Sequence, residues 1–162
     1  MAPDYVFRPM TSADLPLVRR WLAEPHVVEW WGDTLQQFEL VSGDLEVEAM
    51  DQFIVAMDDQ PFGYIQCYDP EVWPENGLGE HPRGTRGIDQ FIGEPDMLDR
   101  GHGSGFIRAF ADRLLASGIP RIVIDPDPAN ARAIRAYGKA GFVKDRVVDT
   151  PDGPALLMVR DA

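Results

Sequence analysis

The sequence predicts a single α/β (or α+β) domain, residues 1–162, in which a mixed sheet carries helices on both faces. Three observations point there. The chain has 162 residues, 44% hydrophobic, spread along its whole length, enough for one core and short of two. Its C-terminal half alternates strand-like runs with helical-period segments. Its N-terminal half places a helix pair and a hairpin ahead of them.

Tyr5–Arg8 reads as a short strand closed by Pro9. Thr11 followed three residues later by Asp14 forms a capping-box pattern, with Asp in place of Glu, and opens an amphipathic helix. Leu15, Val18 and Leu22 give that helix its buried stripe. His26–Asp33 (HVVEWWGD) reads as an aromatic, acidic loop leading into a second helix over Thr34–Ser42. Gln52–Met57 and Phe62–Tyr68 are strands, and the turn Asp58-Asp59-Gln60-Pro61 makes them an antiparallel hairpin. Asp69–Thr85, rich in Pro and Gly and without a period, is a surface loop. Arg86–Ile92 is a strand, and a glycine-rich turn at 101–105 leads into a helix over Phe106–Ala116, with Phe106, Ile107, Phe110, Leu114 and Leu115 on its apolar face. Arg121–Asp125 is a buried strand. A Pro-rich turn then leads to a helix over Ala131–Ala140, stopped by Gly141. Two last strands, near Phe142–Asp149 and Ala155–Arg160, flank the turn Thr150-Pro-Asp-Gly-Pro154.

Composition narrows the function. Lys+Arg 15 against Asp+Glu 27 gives a net charge of −12. That balance disfavours nucleic-acid backbones and anionic membranes and suits a small cationic partner, although acidity also simply keeps proteins soluble. No apolar run approaches the ~20 residues that span a bilayer, and MAPDYVFRPM lacks the pattern of a signal peptide. Cys67 stands alone, so neither an internal disulfide nor a CxxC knuckle is possible, as expected for a cytoplasmic protein. No metal is expected. His26, His81 and His102 have no second ligand at zinc spacing, and Asp125-Pro-Asp127 lacks the rest of a calcium loop.

Arg100-Gly-His-Gly-Ser-Gly105 lies between a strand and an amphipathic helix. Amide groups at a helix start can hold phosphate, and glycines let the backbone come close to it. A dinucleotide GxGxxG would need glycine where Phe106 stands, and no GxxxxGK[ST] occurs. Taken alone, the cluster is equally well a flexible linker before an ordinary helix.

Two further patterns favour the phosphate reading. Arg100-x-x-Gly103-x-Gly105, followed some twenty-five residues later by Asn130-x-x-Ala133-x-x-x-Tyr137-x-x-x-Gly141-Phe142, resembles the Gcn5-related N-acetyltransferase (GNAT) superfamily, whose loop binds the pyrophosphate of acetyl-coenzyme A. A closer resemblance, over nearly the whole chain, is to the aminoglycoside 6′-N-acetyltransferases. It rests on His26-Val-Val-Glu-Trp-Trp-Gly32, Gly63-Tyr-Ile-Gln66, Arg86-Gly-Ile-Asp-Gln90, Asp125-Pro-Asp-Pro-Ala-Asn130, Arg132-Ala-Ile-Arg135, Lys139-Ala-Gly-Phe142 and Thr150-Pro-Asp-Gly-Pro-Ala155. Two departures bear on drug range. The loop Asp69–Thr85 is shorter and differently composed than the family's, and Phe38 stands where relatives carry Tyr.

The resemblance implies a mixed, mostly antiparallel twisted sheet with helices on both faces. It further implies a V-shaped split between the strands carrying Asp89 and Asp125, with acetyl-coenzyme A lying across it. It implies that Ile92, Arg100, Gly101, His102, Gly103, Ser104, Gly105, Asn130 and Ala133 serve the coenzyme. The implied acceptor is an aminoglycoside such as kanamycin or tobramycin, and the protein would be a monomer or a homodimer.

Acetyl transfer to an amine requires a neutral nitrogen, whereas aminoglycoside amines are mostly protonated and an acidic pocket keeps them so. A base must therefore act in the bound complex. Asp89, midway along a strand where an apolar residue is the default, is the candidate, and the resemblance assigns the matching Asp that role. The alternative is an edge-strand Asp facing solvent or pairing with Arg86. Tyr137 is by spacing a core aromatic; by resemblance it protonates, or hydrogen-bonds, the departing thiolate. The resemblance further implies a backbone N–H near Gln90–Ile92, exposed by a strand bulge, that would hold the acetyl oxygen.

By resemblance, Asp125, Asp152, Gln66, Tyr68 and Gln90 face the acceptor. Asp125 ends a strand in an open sheet, where ligands gather, or is a turn-forming Asp before proline; Asp152 taken alone is foremost a hairpin turn former, and sheet packing alone would explain Tyr68. Glu46, with Asp44 and Glu48, forms either a wall for cations or a solvated helix face. Trp30 either stacks on sugar rings or packs as a lid. His102 could lend a donor to the pyrophosphate, the plainer reading being a solvent-facing loop histidine. Cys67 is strand packing, since direct transfer needs no acyl-enzyme. Rival acceptors are a hydroxamate-siderophore precursor, a polyamine or a protein N-terminus. A rival of another kind is a non-catalytic domain that binds acyl-coenzyme A.

Overall fold

The computed structural model describes residues 3–162. In chain order it contains β1 (Val6–Pro9), α1 (Leu15–Leu22), α2 (Pro25–Trp31), α3 (Thr34–Asp44), β2 (Met50–Met57), β3 (Gln60–Tyr68), β4 (Arg86–Ile92), α4 (His102–Ala116), β5 (Arg121–Ile124), α5 (Ala131–Lys139), β6 (Val143–Thr150) and β7 (Gly153–Asp161). The strands hydrogen-bond in the order β1-β2-β3-β4-β5-β7-β6. The β1–β2, β5–β7 and β6–β7 ladders are antiparallel, and β4–β5 is parallel. The mixed, mostly antiparallel sheet expected from the sequence is therefore present. Among the described residues, no helix is long and apolar enough to cross a membrane. The chain forms two compact units, one running up to Cys67 and resuming over Asp89–Gly103, the other comprising Tyr68–Ile88 and Ser104–Ala162.

In the first unit α1, α2 and α3 pack on β2–β4 through Val18, Trp21, Leu22, Val27, Val41, Ile54, Tyr64 and Phe91. The chain enters α1 through a 3-10 turn over Ser12–Asp14, where the Asp14 carboxylate accepts from the Thr11 N–H at 2.9 Å. The stretch expected to be a loop from His26 is instead helix α2. Pro25 occupies its first turn, where a missing N–H costs nothing, and Gly32 at φ +93° ends it. A helical turn lets Trp31 face inward, edge-on to Phe91 at 5.1 Å and to Tyr64 at 6.2 Å. Asp33 then caps α3, accepting from the Gln36 N–H at 2.9 Å. Asp58 (φ 50°) and Asp59 (φ 62°) are both left-handed, the two-residue geometry that matches strand twist in the β2–β3 hairpin. At the end of β4 the amides of Gly93 and Glu94 both donate to Phe62 O, at 2.7 and 3.2 Å. This two-against-one pairing marks a bulge just past the Gln90–Ile92 segment where one was expected.

In the second unit β7 runs between β5 and β6, over a core of Leu78, Val123, Val148, Ala155, Leu157 and Val159. Leu78 corrects the reading of Asp69–Thr85 as a plain surface loop. The segment folds into 3-10 turns at Pro70–Val72 and Pro74–Asn76 and drops Leu78 into that core. The Arg146 guanidinium donates to Leu78 O at 3.3 Å. Gly77, at φ +81°, lies so close to β6 that a Cβ there would stand 2.1 Å from Asp149 O. Strand β6 ends the sheet, with Val143 62% and Val147 61% exposed and its register broken between Lys144 and Arg146. Helix α4 starts at His102, four residues before the expected Phe106, so the glycine-rich segment is its first turn.

Candidate active site

Asp89 occupies the middle of β4, half-buried. The Gln66 side-chain amide, from β3, donates to its Oδ2 at 3.0 Å. Gln66 Oε1 accepts in turn from the Tyr64 hydroxyl at 2.6 Å, and the Tyr64 oxygen accepts from Gln52 Nε2 at 3.0 Å. Gln52 Nε2 also donates to Val41 O of α3 at 2.9 Å. Tyr64 is fully buried and stacks on Phe91 at 5.3 Å. Burial, foremost, raises its pKa far above the usual phenol range; Gln52 opposes the shift, and the charges of Asp44 and Asp89 add to it. The hydroxyl is therefore a permanent donor. Asp44, at the end of α3, has a carboxyl raised above its ordinary value by desolvation. Arg86 turns to the carbonyls of Gly84 and Thr85 and stands 3.9 Å from Asp69, which removes the alternative of an Arg86–Asp89 pair.

Sequence reasoning singled out Asp89 and Gln66 but not Gln52 or Tyr64. The available signal was a polar Gln52 in an otherwise apolar strand, since such a group, once buried, must find partners. His26 was also missed as a tie. Its Nε2 donates to Ile92 O at 2.7 Å, fastening α2 to the end of β4.

At the glycine turn, Gly101 is left-handed (φ +79°) and a Cβ on it would meet nothing within 4 Å. At Gly103 a Cβ would make only an ordinary contact, 3.8 Å from Ile92 Cδ1. Packing within the chain therefore does not demand glycine at 103. What its absent side chain provides is close access to the first-turn amides of α4, which fits a pyrophosphate. Arg100 and Gly101 are exposed, and Ser104 and Gly105 continue the helix half-buried. The plainer reading of His102, a solvent-facing loop histidine, is corrected. Its ring is buried between Tyr5 (5.9 Å, edge-on) and Phe62 (5.5 Å), with Nδ1 hydrogen-bonded to the Tyr5 hydroxyl at 2.9 Å. An imidazole so enclosed does not face solvent, and its Nδ1 is engaged by the Tyr5 hydroxyl.

In the second unit Asn130 caps α5, its Oδ1 accepting from the Ala133 N–H at 3.1 Å. Capping alone explains Asn130 at that position, and it occupies the Ala133 amide. Tyr137 lies half-buried on α5. Asp125 follows β5, half-buried, while Asp152 sits exposed in the β6–β7 turn, where Thr150 Oγ1 donates to Gly153 O at 2.7 Å. The Tyr68 ring covers Gly87, where a Cβ would stand 2.3 Å from Tyr68 Cζ, and meets Trp73 edge-on at 6.0 Å. Trp30 is 42% exposed, the opposite of its neighbour Trp31. Glu46 is exposed and Gln90 is buried. Among the described residues no group of three or more His, Cys, Asp or Glu is placed to hold a metal.

Residues 10–150 match the acetyltransferase (GNAT) domain family. The chain is 36% identical, over 94% of its length and 81% of the relative's, to an aminoglycoside N(6′)-acetyltransferase type 1 of Klebsiella pneumoniae. Among solved structures it is similar to aminoglycoside acetyltransferase AAC(6′)-Ib in complex with coenzyme A and kanamycin. That likeness has a TM-score of 0.86 and 36% identity, covering 98% of this chain and 95% of the other. AAC(6′)-Ib with paromomycin and acetyl-coenzyme A gives the same TM-score and identity, over 98% and 93%.

Proposed function

The chain belongs to the GNAT acetyltransferase family, and we propose that its reaction is transfer of an acetyl group from acetyl-coenzyme A to an amine, the 6′-amine, of an aminoglycoside. The two departures noted above, at Phe38 and in Asp69–Thr85, bear on which drugs are accepted rather than on the chemistry. Residues 1–162 act as one acetyltransferase domain, in the cytoplasm, where acetyl-coenzyme A is made and a lone cysteine stays reduced.

The main support from the fold is a strand-borne carboxylate, Asp89, half-buried and fixed by the Gln66 amide at 3.0 Å. Acetyl-coenzyme A supplies a thioester, an acyl group ready for attack. The first turn of α4, with Arg100 beside it, holds the pyrophosphate. The acceptor arrives as a polycation, drawn by a chain of net charge −12. Asp89 takes one proton from the reacting ammonium: an N–H bond breaks, an O–H bond forms, and the nitrogen gains the lone pair it needs. Tyr137 gives a proton, or a hydrogen bond, at the departing sulfur, a modest aid because a thiol with a pKa of about 8.5 is already a fair leaving group. Trp30, Glu46, Tyr68, Asp125 and Asp152 are the side chains offered to the sugar rings and their remaining ammonium groups.

Thiol release from acetyl-coenzyme A, followed with kanamycin, tobramycin, spermidine and a basic peptide in turn, tests this. Release with the two drugs is expected. Release with spermidine or peptide alone overturns the acceptor, and coenzyme binding with no release under any acceptor overturns catalysis. Asp89→Asn should lose most of the activity, by about a hundredfold or more, while keeping affinity for the coenzyme. An active Asp89→Asn enzyme places the base elsewhere.

A further inference from the structure

Resting on the reading of Asp89 as the base, we infer that Gln52 and Tyr64 are positioning residues. Through Gln66 they hold the Asp89 carboxylate ionised and in one orientation. The hydrogen bonds form one directed series from a helix carbonyl to the carboxylate. Val41 O can only accept, so Gln52 must present its amide nitrogen there, at 2.9 Å. That same nitrogen donates to the Tyr64 oxygen at 3.0 Å, which turns the Tyr64 proton toward Gln66 Oε1 at 2.6 Å. Gln66, its oxygen engaged, has only its NH2 to offer Asp89, at 3.0 Å. Each donor in the series has its direction fixed by the one before it.

The series cannot be run backwards cheaply. A neutral Asp89 protonated on its other oxygen keeps the Gln66 bond but accepts it more weakly, and one protonated on Oδ2 could donate to Gln66 only if the Gln66 amide turned over. Its NH2 would then face the Tyr64 oxygen, and the Tyr64 proton would face the Gln52 nitrogen, which cannot accept. Gln52 would have to turn as well and abandon Val41 O, leaving a buried carbonyl without its donor, and such a loss is costly. An amide donor held on Oδ2 binds the charged carboxylate more strongly than the neutral acid and so favours the form that can accept a proton from an incoming ammonium. Two amides stand in the series, so it orients rather than conducts; the proton taken by Asp89 does not travel inward through it. Gln52 is buried and Tyr64 fully so, packed between Trp31 and Phe91. Neither needs to touch the acceptor to act. Two titratable groups lie near the series: Asp44 from α3, whose charge acts on the Tyr64 hydroxyl, and His26 from α2, bonded to Ile92 O.

Tyr64→Phe keeps the stacked ring and deletes only the hydroxyl. Acetyl transfer should lose about tenfold in kcat, with KM for acetyl-coenzyme A unchanged. The acid limb of the kcat–pH profile should move to higher pH, because Gln66 no longer holds its donor on the carboxylate. Gln52→Met gives an independent measurement should Tyr64→Phe fold poorly. It removes the donor that turns the Tyr64 proton toward Gln66, so the limb should rise in the same direction and by no more than in Tyr64→Phe. A fall in kcat and in Tm with no movement of the limb in either variant reduces the series to packing and overturns the inference. Asp89→Asn separates the two failures. If it is inactive while the limbs stay put, only the positioning role is lost; if it is active, the base itself is misassigned.

Discussion

Replacing Gly93 with alanine puts a methyl group inside a ring. Its Cβ would stand 2.1 Å from Trp21 Cγ, 2.2 Å from Cδ2 and 2.5 Å from Cδ1, where carbon atoms rest at about 3.5–4.0 Å. Something must move by more than an ångström, and the surroundings hold both sides. Trp21 is fully buried, its indole N–H donates to Glu94 Oε2 at 3.0 Å, and it meets Phe91 edge-on at 6.2 Å. The Gly93 amide is bound to Phe62 O at 2.7 Å. Overpacking costs about 1–3 kcal/mol and occasionally more, and this overlap with a rigid indole belongs at the upper end, about 3 kcal/mol. For a domain of this size each kcal/mol lowers Tm by about 2–4 °C, so the melt should fall by about 6–12 °C. Gly43→Ala is the matched control. Its Cβ would meet nothing within 4 Å, and the site is inside α3. Alanine there should stabilise by about 0.5–1 kcal/mol. Thermal melts of the two variants followed by circular dichroism would decide. A Gly93→Ala protein melting within about 2 °C of wild type refutes the packing described at the end of β4.

Two more predictions follow from named contacts. Arg8 donates to both oxygens of Asp14, at 2.9 and 2.8 Å, and holds that carboxyl below its ordinary pKa, with the Thr11 N–H assisting. Because the folded pKa is the lower one, the contribution to stability is complete above the unfolded value of about 4. It fades as pH falls through the folded value, so Asp14→Asn should flatten unfolding free energy against pH in the acid range; an unchanged slope there removes the pair from acid stability. Tyr137→Phe should slow turnover moderately, about tenfold, the worth of one hydrogen bond at the departing sulfur, and an unaltered kcat takes Tyr137 out of the reaction.

The strands were legible because their apolar runs are bounded by Pro, Gly and Asp pairs: β4 emerges with the very ends the sequence suggested, and the Asp58-Asp59 turn forms as expected. Helix α2 was not legible, since HVVEWW carries β-branched and aromatic residues that favour strands, and its helicity comes from burying Val27 and Trp31 against β4. Helix α4 hid its first turn in glycines, poor helix formers tolerated where amides must stay accessible. Asp89 stood out as a charge inside a strand. Its supports did not, because Gln52 and Tyr64 become neighbours only once the β2–β3 hairpin has set their register. The inward turn of His102 likewise depends on Tyr5, ninety-seven positions away in the chain.

Strand β6 also bears on how this protein behaves when crowded. Two valines look outward from it, yet the ladder stumbles at Asp145, between a lysine and an arginine. A foreign extended segment laid along this rim would lose step at the irregularity and meet charges of alternating sign. The sheet thus ends in a guarded border, one that resists fibril-like growth without an additional element to cover it.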